Sequence, residues 1–137
     1  MAKLSKHFSQ SEFDCRCGCS CEVIVSNDLL ALLEGIRVSL GTPLRITSGA
    51  RCEKHNARVG GATHSWHIPR NHTLYAADVT YWNEGERDKM GILKLYTLAD
   101  KHHASGLGLY TSWVHMDQRP AKRARWIDKN WQWADGS

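Results

Sequence analysis

At 137 residues the chain suits one domain around a single core. Its 42% apolar and 23% charged residues exclude wholesale disorder. The formal charge of +4 is compatible with an acidic polymer, whether cell wall or nucleic acid, and selects neither.

No run is apolar and long enough to span a membrane, so no membrane association is expected. The opening MAKLSKHFSQSEF lacks the apolar centre of a secretory signal. Synthesis in the cytoplasm is the expectation, with an external substrate reached only by other means of delivery.

In chain order, Ser11-Glu12-Phe13 reads as a brief helical turn, followed by an irregular or extended run holding Cys15, Cys17, Cys19 and Cys21. A helix begins at Ser26 or Asn27, either of which caps it, and uses Leu29, Leu30, Leu32, Leu33, Ile36, Val38 and Leu40 until Gly41-Thr42-Pro43 stops it. Leu44 to Ser48 alternates as a strand entering a loop. A short helix fits Arg51 to Val59, ended by Gly60-Gly61, and a polar, histidine-rich loop runs from Thr63 to Thr73. Ala76 to Tyr81 reads as a buried strand and Glu86 to His102 as the second long helix. Gly106 to Tyr110 and Trp113 to Asp117 read as strands joined by a turn at Thr111-Ser112. Arg119, Lys122, Arg123 and Arg125 crowd together, ordinarily the sign of a solvated surface. Trp126, Trp131 and Trp133 are expected to pack back on the body. The pattern predicts an α+β fold in one domain: a lead-in over 1–25, a core over 26–126 and a tail over 127–137.

Asp78 stands in an otherwise apolar strand, where a carboxylate is costly unless paired or bound to a cation. His115 lies between Val114 and Met116 on another strand of core character, and His67 ends a polar loop able to reach both. Zinc takes three or four His, Cys, Asp or Glu ligands, and a catalytic site leaves one position open. Among eight histidines, spacing alone does not choose this trio.

Ser48-Gly49-Ala50-Arg51, His55-Asn56, Val59-Gly60-Gly61-Ala62, Ser65-Trp66-His67, Ala76-Ala77-Asp78 and Val114-His115-Met116-Asp117 follow one another in the chain. This succession resembles the zinc D-Ala-D-Ala carboxypeptidases, the M15 peptidases that include many phage endolysins; the likeness spans residues 44–126, and the Phe13-x-Cys-x-Cys-Gly lead-in resembles segments placed before this domain in some phage members. The resemblance implies an antiparallel sheet with helices packed on it, of the hedgehog and DD-peptidase type. It implies Zn²⁺ held by His67, Asp78 and His115, with Arg51 gripping a substrate carbonyl or carboxylate and Ser65 and Asp117 orienting ligands. It further implies a monomeric enzyme that hydrolyses peptide bonds of bacterial peptidoglycan with metal-activated water, encoded by a phage or prophage and acting on the cell wall.

Two departures stand out. His67 and Asp78 are eleven residues apart where the family pattern has seven, which keeps His64 and His72 in view as replacements for His67 and Arg70 or His72 as substrate contacts. Ser112 and Trp113 occupy positions where family members often carry the catalytic base; Asp117, His64, His72 and His103 are the substitutes on offer. A non-catalytic peptidoglycan-binding module of the same fold is therefore the alternative reading. A nucleic-acid binder using the basic cluster and cysteine-held zinc ranks below both, and no nucleic-acid partner is expected.

The cysteines at every second position share one face of an extended segment, with Cα atoms about 6.6 Å apart. A small structural metal site, disulfides and free thiols all stay open for them. Cys52 reads as a small buried hydrophobe, and Trp66 and Trp113, flanking metal positions, as groove-lining side chains.

Overall fold

A computed structural model describes residues 3–19 and 23–131; Cys21 and Trp133 lie outside them. The first helix, α1, runs Asn27–Leu40. The Ser26 hydroxyl accepts from Leu29 N–H at its start, and Gly41 at φ 68° ends it in the left-handed conformation that glycine adopts without a Cβ clash. Leu29, Leu32, Leu33 and Ile36 form its buried stripe, whereas Val38 is exposed. The second long helix, α3, runs Lys89–Lys101 after a short α2 at Glu53–Arg58. It begins later than the sequence pattern suggests because Asp88 accepts from Gly91 N–H and caps it there.

Among the described residues the strands are seven: β1 (Ile24–Val25), β2 (Leu44–Ser48), β3 (Thr73–Leu74), β4 (Ala76–Tyr81), β5 (Gly106–Leu109), β6 (Val114–Asp117) and β7 (Ala124–Ile127). Five form the main sheet in the order β2-β4-β6-β5-β7, with α1 and α3 on one face. The first four pair antiparallel, and β7 joins β5 in parallel at the edge. The architecture is α+β. Side chains alternate across the sheet, so Ile46, Val79, Val114, Met116, Leu107 and Leu109 enter the core with the helices, while residues of the other parity face the opposite side. All six residues of β4 are nevertheless buried, so its second face is covered as well.

The lead-in is integral to this core. Phe8 and Phe13 are almost fully buried and meet at 6.2 Å between ring centroids. Ser5 and His7 anchor to Glu34 of α1, and Phe13 C=O accepts from Ala50 N–H at 2.8 Å.

Three strands, β1, β3 and β7, were not foreseen from the sequence. β1 pairs in parallel with β3, and β3 opens out of a hairpin in which Arg70 and Thr73 exchange both backbone hydrogen bonds around Asn71 (φ 51°) and His72 (φ 66°). The extra residues between His67 and Asp78 are taken up in this turn. The third is β7, part of the segment read as a solvated basic cluster and tail. There Arg125 donates to Ala104 C=O, Ser105 C=O and Asp100, and Arg123 also reaches Asp100.

Candidate metal centre and its cleft

The centre is built along one row that crosses the whole sheet. In register, Ser48 of β2 faces Asp78 of β4, Asp78 faces His115 of β6, His115 faces Gly108 of β5, and Gly108 faces Trp126 of β7. The row behind it carries Ala76, Asp117, Gly106 and Ala124. The two glycines give space to their neighbours: a Cβ on Gly108 would lie 2.3 Å from the Trp126 ring, and one on Gly106 would lie 2.2 Å from an Asp117 carboxylate oxygen.

His67 comes from outside the sheet and is fixed to the loop after β2. Its backbone C=O accepts from Arg51 N–H at 2.8 Å, and its Nδ1 lies 2.7 Å from Gly49 C=O. His67 Nε2, Asp78 Oδ1 and His115 Nδ1 then form a triangle with edges of 3.0, 3.1 and 3.2 Å. On the far side of its ring, His115 Nε2 lies 2.7 Å from Asp117 Oδ2.

These outer partners decide the tautomers. Gly49 C=O can only accept, so His67 Nδ1 carries the proton and Nε2 offers its lone pair inward. Asp117 is an acceptor, so His115 Nε2 carries the proton and Nδ1 turns its lone pair toward the same point. With an Asp78 oxygen, three electron-pair donors converge in a buried space, an arrangement a cation stabilises. Ligands at about 2.0–2.2 Å from a tetrahedral ion stand about 3.4 Å apart, a few tenths more than here. The donor set fits a divalent transition metal on geometry and chemistry.

The field around the trio favours the charged carboxylates. Burial alone would raise both; His67 and His115, when they carry a second proton, outweigh it at Asp78 by charge and hydrogen bonds, and Arg119 and protonated His115 outweigh it at Asp117, so both lie well below the usual range. Burial disfavours the His115 cation, and the carboxylates of Asp117 and Asp78 reverse this, for a net upward shift.

The trio opens into a cleft of about 460 Å³. Arg51 lies on its wall, where Nε donates to Ser48 Oγ, Nη1 to Asn56 Oδ1 and Nη2 to Asp78 Oδ2 at 3.5 Å. Ser65 Oγ accepts from His67 N–H. Trp66 and Trp113 line the cleft, as does Trp126, which the sequence had assigned to core packing. Its indole lies 5.1 Å from the His115 ring and donates to Tyr110 Oη at 3.0 Å.

The structure also sorts the remaining candidates. His64 lines the cleft at its exposed rim. His72 does not; it lines a separate cavity beside Cys15 and Cys52. Arg70 is engaged by the carbonyls of His64, Ser65 and Ile68 and lies over the Trp66 ring. Asp117 is fully buried, with four donors from Arg119 and His115 on its two oxygens, which suits orientation of His115 and leaves no lone pair turned to the cleft.

Three contributors carried too little sequence signal. Arg119, placed in the solvated cluster, instead grips Asp117 and lies between the Trp66 and Trp126 rings. Asn56 is buried and joins Arg51 to Ala62 C=O, which holds the Gly60-Gly61 turn against the cleft. Gly49 acts through its carbonyl, invisible in side-chain patterns. No curated protein matches the chain significantly. The family model described as Peptidase M15 matches residues 6–117, which takes in most of the lead-in and every residue of the trio. A buried His-Asp-His cluster beside an open cleft is the equipment such a peptidase needs, and the chain belongs to the M15 peptidases, a family of metallopeptidases.

Proposed function

We propose that the protein is a zinc-dependent peptidase that hydrolyses peptide bonds in the stem or cross-link of bacterial peptidoglycan. The observation that carries this reading is the triangle of inward lone pairs on His67, Asp78 and His115, each histidine fixed by a partner on its other nitrogen. A zinc ion held there would polarise a peptide carbonyl and acidify a water. Arg51 would bind a carbonyl or carboxylate of the substrate with its planar donor fork, aided by Arg119, which also lines the cleft. Asp117 would hold His115 in the tautomer that keeps Nδ1 free. His64 is the only one of the four proposed substitute bases on the cleft wall that retains lone pairs free of structural partners among the described contacts, and it would take the proton there. Support for the substrate class comes from the pairing of two guanidinium groups with an aromatic wall, which suits a short peptide bearing carboxylates. The reading includes a phage or prophage origin and delivery to the wall from the cytoplasm.

The non-catalytic binding module keeps one observation in its favour: Trp113, two residues before His115, stacks on Tyr110 at 4.9 Å and supplies no base. Zinc content and turnover of purified wall peptides by wild type and Asp78→Ala separate these readings. The peptidase reading expects zinc at the trio and turnover, both lost in the variant. Bound zinc with peptide binding and no cleavage would establish the module instead.

A further inference from the structure

The cysteines of the lead-in do not stay in single file. Gly18, at φ 80°, turns the chain between Cys17 and Cys19, and Cys52 arrives from the start of α2 to complete a group of four. Their sulfurs all lie within 4.8 Å of one another, with Cys15 to Cys17 at 3.3 Å and Cys17 to Cys52 at 3.5 Å. We infer that Cys15, Cys17, Cys19 and Cys52 form a second metal site, one that binds zinc as a structural ion; this goes beyond the peptidase reading and does not depend on it.

The spacing is that of ligands. A disulfide brings two sulfurs to about 2.05 Å. Four thiolates at about 2.3 Å from a tetrahedral zinc stand about 3.8 Å apart, close to what the group already shows. Four sulfurs without a carboxylate or imidazole make a soft donor set, which selects zinc over magnesium or calcium. Thiols are weak hydrogen-bond donors and acceptors, so four of them packed together gain little from one another without an ion. Two backbone groups already point at the sulfurs: Cys52 N–H donates to Cys15 Sγ and His55 N–H to Cys52 Sγ, both at 3.4 Å, the outer-shell bonding that steadies thiolate ligands. Binding would displace the four thiol protons to solvent, and four protein ligands leave no open position, so the site is structural.

Its place in the fold shows what the ion would hold. Cys52 directly follows Arg51, and the same loop carries Gly49, whose carbonyl orients His67. Besides the sulfurs, the Phe13 to Cys17 stretch meets this region through Phe13 C=O to Ala50 N–H, Arg16 to Ile46 C=O and the close packing of Phe13 backbone on Gly49. A tetrathiolate knot would clamp the lead-in to the loop on which both Arg51 and His67 depend.

The test uses the full chain, purified without added chelator. Metal analysis is expected to give two zinc ions per chain in wild type, one in His115→Ala and one in Cys17→Ser/Cys52→Ser. Cobalt(II) exchanged into wild type and into His115→Ala is expected to show a thiolate-to-metal charge-transfer band that the cysteine variant lacks. A mercurial thiol reagent added to wild type should release one zinc, which keeps the test independent of whether the cysteine variant folds. No thiolate–cobalt band in His115→Ala, or fewer than five free thiols in denatured, unreduced wild type, would overturn the inference. One zinc that survives both His115→Ala and Asp78→Ala but leaves with the thiols would instead sink the His-Asp-His reading and uphold this one.

Discussion

Asp117→Asn isolates the orienting contact behind the metal centre with minimal change of shape. The carboxylate now receives four donors: Arg119 N–H and Nε at Oδ1, and Arg119 Nη2 and His115 Nε2 at Oδ2, at 2.7–3.1 Å. An asparagine offers one oxygen and one NH2. With the oxygen kept toward Arg119 N–H and Nε, the NH2 meets Arg119 Nη2 and His115 Nε2–H, two donors. His115 relieves its half of the conflict by moving its proton to Nδ1, which fills the lone pair that the trio needs. Metal then binds only by displacing that proton and restoring the clash. Loss of an outer partner of this kind costs about 10–100-fold in metal affinity or activity, or about 1.4–2.8 kcal/mol. Competition with a chromogenic chelator at fixed pH measures the affinity, and peptide turnover under saturating zinc measures the activity. A variant that folds normally and keeps wild-type affinity within about twofold would refute the tautomer argument, because His115 is the contact through which Asp117 reaches the trio, whereas Arg119 supplies no donor to it.

Arg51→Ala should lower kcat/KM by about 10–100-fold, the worth of a charged hydrogen bond of about 1.5–3 kcal/mol, while zinc at the trio is retained; steady-state kinetics with metal analysis check both halves. Gly108→Ala should push the Trp126 indole off the His115 ring, destabilising the fold by about 1–3 kcal/mol in urea unfolding and breaking the Trp126–Tyr110 bond, with a change in tryptophan fluorescence. The Glu34 carboxyl lies below its ordinary 4.5, because hydrogen bonds from Ser5 and His7 outweigh a burial effect that would raise it. A lowered folded-state value contributes stability that is fully present above about pH 4.5 and fades as the pH falls through the folded value. The stability gap between wild type and Glu34→Gln should therefore narrow from pH 6 to pH 3.5, as read from urea midpoints, and a constant gap would show that the charge is not what anchors the lead-in.

How much of this was legible depends on whether the signal was local. Asp78 and His115 announced themselves because each interrupts an apolar strand, and burial of a polar group demands a partner. The first helix was legible from its stripe and cap, and the second long helix from its stripe, though not from its Asp88 cap. β7 was not: Ala124, Arg125 and Trp126 are only half buried, and the indole faces a cleft rather than the core, so no apolar alternation appears. Arg119 and Arg125 read as solvated because sequence shows charge but not the carboxylates and carbonyls that wait for it across the fold. Cys52, read as a small buried hydrophobe, is only half buried, and its sulfur neighbours Cys15, Cys17 and Cys19 lie far upstream in the chain. Gly106 and Gly108 look like loose strand positions until register shows which side chains fill the space above them.

The long spacing between His67 and Asp78 raised the most serious doubt about the site, and the hydrogen bonds explain why it does no harm. If the chain between the two residues set their separation, extra residues would move one ligand away from the other. It does not set it. Asp78 is fixed by sheet register between Ser48 and His115. His67 is fixed by Gly49 and Arg51, on the loop that leaves β2 next to that same register position. The segment between them has only to connect two anchored points, and its excess closes into the Asn71-His72 turn and pairs with β1. Loop length of this kind is entropically cheap. The ligand geometry therefore follows from the sheet and from the β2–α2 loop, which makes the contacts under that loop, from Phe13 to the cysteine group, more consequential for the metal centre than the insertion that first drew attention.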